Sequence, residues 1–340
     1  SPTQRAMETG HEGSTPMSKT RRNVLRFSAA AFAAAALPRQ GRADTWPNRP
    51  LRVVIPFTAG STIDIIGRIV LEPLAAQLGQ PIIVENRGGA GGSIGAAAVA
   101  KSDPDGYTLL INASAHSAAP AIYPNLSYDT ARDFSAVASF GSVPNVTVIA
   151  PSKGIKTLTE LVAAAKAGSL TFASAGVGSA THWSAERLLL SAGAKALHVP
   201  FKGGPEALTE VVTGRVDFMC PGISSSLAFI REGKLLPLAV STPTRTSALP
   251  EVPTSIEAGY PDSDYTFWNG MFVPAATPRD IVDRLYQDTQ KVLGQPGVRA
   301  RFAPQGIEPM PLTPAQFDAL VKKEIEINIA LVKAAGLKFN

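Results

Sequence analysis

Apolar and polar positions along this chain switch repeatedly between the period of a strand and the period of a helix. Residues 51–55 (LRVVI) are a short, β-branched apolar run of the kind that makes a buried strand. A Pro-Phe-Thr-Ala-Gly break follows at 56–60, and then Ile63, Ile66, Ile69, Val70, Leu74 and Leu78 recur at helical spacing. Ser61 stands where an N-cap belongs, with Asp64 three residues on, a capping-box-like start. The same grammar returns 118 residues later: a strand near 170–173, a glycine turn, and a helix opening at Ser179 with His182 in the place of Asp64. A strand, a tight glycine turn and a capped helix leave unpaired backbone N–H groups facing one point, where the helix dipole adds partial positive charge. Each copy is a potential anion site and, taken singly, also an ordinary capped helix. The pairing points to two helix tips facing each other across a cleft, with a small carboxylate between them.

The remaining pattern surrounds these two devices. A β-run at 81–85 leads into a glycine-rich stretch at 86–95 and an alanine-rich helix ending near Lys101; a turn at 103–106 precedes a strand at 107–111. The small polar residues 112–117 read as a loop at a strand's carboxyl end. Beyond the midpoint, helices are expected at 158–167, 181–191, 205–213 and 224–231, with strands at 170–173, 196–200, 216–219 and 236–240. This alternation predicts an α/β fold with parallel sheets covered on both faces and binding groups at the strands' carboxyl ends. The segments 143–150 and 266–273 are the expected places where the chain changes lobes, and two crossings are hinge architecture. The predicted division is 44–145 with 272–340 as lobe 1 and 146–271 as lobe 2, the helices at 279–293 and 313–335 packing back on lobe 1.

The first 43 residues stand apart. From Met17 the chain shows a basic n-region, an alanine-rich h-region and a small-residue cleavage site at Gly41-Arg42-Ala43, the pattern of an export signal removed before Asp44. Residues 20–26 (TRRNVLR) approach a twin-arginine motif, with an ordinary secretory signal as the alternative. Residues 1–16 precede this start and read as an extension. The leader also explains the basic balance. The whole chain has 32 Lys/Arg against 27 Asp/Glu, seven and two of them in residues 1–43, so 25 of each remain. A neutral mature chain argues against nucleic acid as a partner. Cys220 is the only cysteine, which excludes an intramolecular disulfide, and its apolar strand setting gives it a packing role. The product is expected in the periplasm, as a monomer.

Candidate chemistry is sparse. Gly91-Gly92-Ser93-Ile94-Gly95 matches the nucleophile elbow G-x-S-x-G, with His116, His182 and His198 downstream, so an exported serine hydrolase using Ser93 is the competing reading. Five glycines within 88–95 describe a tightly turned loop better than a strained elbow. The glycines lack dinucleotide spacing, no P-loop occurs, and neither His nor Cys pairs at metal-ligand spacing, so no cofactor and no metal are expected. Phe57, Phe201 and Trp268 are candidate apolar walls. Lys202-Gly203-Gly204 precedes another helix start and is a third potential donor set. Asp64 is expected to cap its own helix or to orient a bridging water.

Taken together these segments resemble a known family, the Bug-type extracytoplasmic solute receptors, the TctC-like binding proteins of tripartite tricarboxylate transporters. The resemblance rests on 51–68 (PFTAG-S-x-x-D-x-x-x-R), 84–95 (VENRGGAGGSIG), 104–110 (PDGYTLL), 174–182 (SAGVGSATH), 199–204 (VPFKGG), 214–218 (GRVDF), 249–259 (LPEVPTSIEAG) and 268–278, collinear over most of 46–310. It implies a two-lobe periplasmic binding protein of the Venus-flytrap type that holds a small organic carboxylate and delivers it to membrane permease subunits, without catalysis. Carried over residue by residue, the implied ligand-binding set is Phe57, Ala59, Gly60, Ser61 and Asp64 in one lobe. The other lobe contributes Ser174, Ala175, Gly178, Ser179 and His182, with Lys202 and Gly203 added from the third turn. Where the family commonly has Gly-Gly in the first loop, this chain has Gly60-Ser61, a hydroxyl that adds a contact or narrows the site. A sensory receptor with the same cleft is the remaining alternative.

Overall fold

The computed structural model describes residues 46–168 and 170–335; the export signal and the 1–16 extension expected from the sequence lie outside them. The first sheet is built from β1 (Leu51–Ile55), β2 (Ile82–Asn86), β3 (Thr108–Ala113), β4 (Phe134–Val143) and a late strand, β10 (Phe267–Pro274), in the order β2-β1-β3-β10-β4. The second is built from β5 (Val146–Ile149), β6 (Thr171–Ser174), β7 (Leu197–Pro200), β8 (Phe218–Met219) and β9 (Leu236–Val240), in the order β7-β6-β8-β5-β9. Helices α1 (Thr62–Leu78), α2 (Ser93–Ala100) and α3 (Ala115–Ile122) accompany the first sheet. Helices α4 (Leu158–Lys166), α5 (Ala180–Ala192), α6 (Gly204–Val212) and α7 (Ile223–Arg231) accompany the second. Helices α8 (Arg279–Leu293), α9 (Pro296–Phe302) and α10 (Pro314–Ala335) follow β10 and lie against β4, α1 and α3.

The continuous apolar run of β1 is explained by its place. With β2 and β3 on either side and helices on both faces, Leu51, Val53, Val54 and Ile55 are fully buried. The helical apolar stripe of α1 (Ile63, Ile66, Val70 and Leu74) packs onto it. The helix stops at Gly79, whose φ of 70° is left-handed and whose N–H reaches back to the carbonyls of Ala75 and Ala76. A glycine is needed there because other residues pay for that backbone region.

Two expectations are corrected. The sheets are mixed, not parallel. β10 runs antiparallel to β3 and β4, and β5 runs antiparallel to β8 and β9. Each is the strand by which the chain enters from the other sheet, so it arrives from the opposite direction. The stretch 112–117 is not a loop: β3 runs through Ala113 and α3 starts at Ala115. Its polar side chains are buried and, His116 Nε2 apart, paired inside the protein. Asn112 Nδ2 meets His116 Nδ1 at 3.1 Å, and Ser117 Oγ donates to Glu324 Oε2 of α10 at 2.8 Å. The long strand β4, unrecognised in the sequence pattern, completes the first sheet's edge.

The first crossing is short. Between β4 and β5 only Pro144 and Asn145 intervene, and they are tied to the turn after β8 by Asn145 Nδ2 donating to the Cys220 carbonyl (2.8 Å) and Ile223 N–H to the Pro144 carbonyl (2.9 Å). Cys220 itself is buried, with its thiol pushed up to about 12 by that burial. No helix among the described residues is long and apolar enough to cross a membrane.

Candidate functional site

The two helix tips have nearly the same backbone. Gly60 (φ 78°) precedes Ser61 (φ −68°, ψ 160°) at the start of α1. Gly178 (φ 81°) precedes Ser179 (φ −65°, ψ 160°) at the start of α5. In each, the side chain three residues into the helix reaches back to the glycine before the cap. Asp64 Oδ2 accepts the Gly60 N–H at 2.9 Å, and His182 Nδ1 accepts the Gly178 N–H at 3.0 Å. This is a capping box shifted by one residue. It uses up the N–H groups of the two glycines and leaves those of the following first-turn residues, Thr62 and Ile63 in one tip, Ala180 and Thr181 in the other, without intrahelical acceptors.

Each bracing side chain is itself held. Asp64 Oδ1 accepts from Arg68 Nε and from Asn86 Nδ2, both at 2.9 Å, and Asn86 also donates to the Phe57 carbonyl at 3.0 Å. Burial works against ionisation of Asp64, but the bonds from Arg68, Asn86 and Gly60 outweigh it and hold the carboxyl below its ordinary value. In the second tip the His182 ring lies on His198 with centroids 3.9 Å apart, and His198 lies on Phe172 at 4.7 Å. Ser174 Oγ bonds His198 Nε2 at 2.7 Å. Burial, with the neighbouring His182 adding to it, pushes His198 down to about 3, so the imidazole stays neutral across the physiological range.

The tips meet. Ser61 and Ser179, from different sheets, line one cavity together with Thr62, Ile63, Ala180 and Thr181. Its apolar floor comes from Phe57, Ala113, Ala115, Met219 and Phe267, while Ala175, Gly204 and Ser225 complete the wall. Among the described residues, no charged side chain lines it. The free space is about 30 Å³, room for a water molecule or two, so a four-carbon acid is accommodated only as the tips move apart. The two cap hydroxyls differ. Ser179 Oγ accepts from His182 N–H (3.3 Å) and meets Thr181 Oγ1 at 2.9 Å, whereas Ser61 Oγ is buried and has no hydrogen-bond partner. The helix-capping bond expected of Ser61 is therefore not made, while the reciprocal bond from the Gly60 N–H to Asp64 is, and Ser61 lines the cavity with its hydroxyl uncommitted.

Lobe contact around the cavity depends on glycines. A Cβ on Gly203 would sit 1.9 Å from Thr58 Oγ1, and one on Gly91 would sit 2.2 Å from the Val177 carbonyl oxygen. The Tyr123 hydroxyl donates to that same Val177 carbonyl, and Thr62 Oγ1 donates to Ser225 Oγ at 3.0 Å on the far side. Outside this seam lies an open groove of about 640 Å³ lined in part by Tyr123, Ala175, Phe201 and Lys202.

Of the residues singled out from the sequence, Phe57, Ser61, Ala175 and Ser179 line the cavity. Gly60, Asp64, Gly178 and His182 brace the tips, and Ser174 braces them through His198. Gly203 lies in the lobe seam, Lys202 faces the outer groove, and Ala59 is exposed. Trp268 is not a cleft wall: it is fully buried on Phe272 and Phe317, and its neighbour Phe267 takes the cleft position because successive strand residues face opposite ways. First-turn residues Thr62, Ile63, Ala180 and Thr181 were implicit in the caps; Ala113, Ala115, Met219 and Ser225 had no local signal. Ser93 opens α2, and the three described histidines bond to Asn112, Gly178 and Ser174, not to it. The glycine run around it has a packing explanation, since a Cβ on Gly95 would lie 2.7 Å from Pro56 Cβ.

Comparison with known proteins agrees with this architecture. Residues 66–337 match the model of the tripartite tricarboxylate transporter family receptor. The chain is 36% identical over 317 residues to the UPF0065 protein in the TAR-I ttuE-ttuC' intergenic region of Agrobacterium vitis (92% of each chain), and 34% identical over 311 residues to the protein BugT of Bordetella pertussis (90% of this chain, 95% of that one). Among solved structures, MatC from Rhodopseudomonas palustris with bound malate superimposes with a TM-score of 0.81 at 34% identity, covering 84% of this chain and 100% of that one. An R. palustris protein with adipate superimposes with a TM-score of 0.82 at 31% identity, covering 86% and 99%. With two mixed α/β sheets, paired helix tips and these relatives, the chain belongs to the Bug-type, TctC-like receptor family of the tripartite tricarboxylate transporters.

Proposed function

We propose that this protein is a periplasmic solute receptor that closes its two lobes around a small organic carboxylate and hands it to the permease subunits of a tripartite transporter. The observation that carries this is the meeting of Ser61 and Ser179, from two sheets, in one cavity with no charged lining and one unpartnered hydroxyl. First-turn N–H groups and helix dipoles stabilise a carboxylate there without a cationic side chain, and the apolar floor suits a short carbon chain. Malate and adipate in two relatives are of this chemical class. The reading is of binding without catalysis, by a monomer exported through the signal that runs from Met17 to Ala43. Closure brings together 44–145 with 272–340 on one side and 146–271 on the other, although β10 already joins the first sheet from Phe267. Ligand contact falls to Phe57, Ser61, Ala175 and Ser179, with Asp64 and His182 holding the tips.

The test is a thermal-shift panel of dicarboxylates (malate and adipate among them), tricarboxylates, aromatic acids and amino acids, followed by titration calorimetry on any acid that stabilises. A native-state ligand raises the melting temperature with dose. Ser61→Ala should keep the unliganded melting temperature and weaken the acid about tenfold or more, the loss of one hydrogen bond to a charged group. An absence of stabilisation by every acid, or binding indifferent to Ser61→Ala, would sink the proposal.

A further inference from the structure

A second recess lies apart from the interlobe cavity, on the side of the first sheet covered by α8 and α9. It holds about 540 Å³, within the range of small-molecule sites, and shares no lining residue with the interlobe cavity. Its apolar wall includes Phe140, Leu293, Phe302 and Ile307. A β-bulge shapes it. On β10, Asn269 pairs with Gly141 and the next residue, Gly270, pairs with Ser139, leaving Phe140 unpaired. Ser139 and Phe140 consequently both line the recess, where a regular strand would send them to opposite faces.

The polar groups of the recess are all capable donors. Ser139 is 2% exposed and its hydroxyl has no hydrogen-bond partner. The Nε2 of Gln290, from α8, is also buried and unpartnered. Buried polar groups are ordinarily paired, so two orphans in one wall call for an explanation. Arg299, from α9, completes the set and makes no ion pair among the described residues, and no acidic side chain lines the recess. A guanidinium, an amide and a hydroxyl over an apolar wall complement an acceptor-rich, negatively charged head on an apolar body.

We propose that this recess is a second ligand site, for a small amphipathic monocarboxylate (an aryl or medium-chain alkyl acid) whose carboxylate is held by the exposed Arg299, with Gln290 and Ser139 turning from their buried positions as further donors. Its lining is distinct from that of the interlobe cavity, although the adjoining Gln305 carbonyl accepts from Ser224 Oγ of α7 at 3.1 Å.

The experiment is equilibrium dialysis of the full chain with radiolabelled hexanoate and 4-phenylbutyrate, with hexanol as the uncharged control. Three variants are compared after circular dichroism shows native folding. Gly203→Val obstructs the lobe seam, Arg299→Gln removes the cation, and Ala303→Trp, at an exposed lining position, fills the recess. Uptake of the acids should persist in Gly203→Val, fall at least tenfold in Arg299→Gln, and disappear in Ala303→Trp, with hexanol bound more weakly than hexanoate only when Arg299 is present. Acid uptake that is lost in Gly203→Val and kept in Ala303→Trp would assign the binding to the interlobe cavity and overturn the proposal. So would no uptake of either acid at about 1 mM, the weak end of small-ligand affinity.

Discussion

Gly203 offers a direct test of whether ligand binding requires the lobes to close. Its backbone is extended (φ −169°, ψ 167°), a conformation any residue adopts, so alanine there carries no intrinsic strain. What it meets is the other lobe: the added Cβ would lie 1.9 Å from Thr58 Oγ1, 2.7 Å from Cγ2 and 2.8 Å from Cβ. Thr58 is β-branched and stiff at χ1, so a rotamer change does not remove all three contacts. Overpacking of this kind costs about 1–3 kcal/mol. Because an open receptor avoids the clash, that cost falls on the closed form alone, and affinity weakens by up to about 5- to 150-fold at about 1.4 kcal/mol per tenfold, less whatever is relieved as the tips part around the acid. Titration calorimetry with the best acid measures it, and thermal melting without ligand should stay within a degree or two of wild type. Thr58→Ala removes the 1.9 and 2.7 Å contacts and should rescue in part; Thr58→Gly removes all three and should rescue further, a coupling that a double-mutant cycle isolates. Unchanged affinity in Gly203→Ala, or a loss that neither Thr58 substitution repairs, would refute the argument.

Three further outcomes are expected. Tyr123→Phe removes the hydroxyl bond to the Val177 carbonyl across the seam; with about 0.5–1.5 kcal/mol lost from the closed form, stopped-flow release should quicken roughly two- to tenfold, and unchanged release counts against a latch. Asp64→Ala frees the Gly60 N–H and takes one bond each from Arg68 and Asn86, and chemical denaturation should show a loss of about 1–3 kcal/mol, more than Arg68→Ala, whose removal leaves the other two bonds to Asp64 intact. His116 is held down to about 3 by burial, below its unfolded value of 6.5. The unfolded chain therefore takes the proton first, so its contribution is intact above that value and is lost as pH falls, by about 1.4 kcal/mol per pH unit down to about 3. Stability measured from pH 7 to 4 should fall less steeply in His116→Gln, and parallel curves would show the assignment wrong.

Much of the fold was legible because its signals are local. The run at 51–55, the stripe from Ile63 to Leu78 and the helix Arg279–Leu293 each carry their own period, and the structure has them at or within a residue or two of those positions. The 112–117 stretch misled for the complementary reason: Ser117 looks like a loop residue until Glu324, 207 positions away, supplies its partner.

What the sequence determined alone is the pair of helix tips, since a glycine turn, a cap serine and a third-position side chain set the direction of first-turn N–H groups through bonds no longer than four residues. What only the tertiary structure decided is which groups share a space with them. Phe267 faces the cleft and Trp268 the core by the phase of one strand, Ser61 Oγ is left without a partner although the matching Ser179 Oγ caps its helix, and Gly203 is constrained by Thr58 rather than by its own backbone. Those relations depend on two sheets closing on each other, and contacts of that kind are made between positions whose separation along the chain carries no periodic signal.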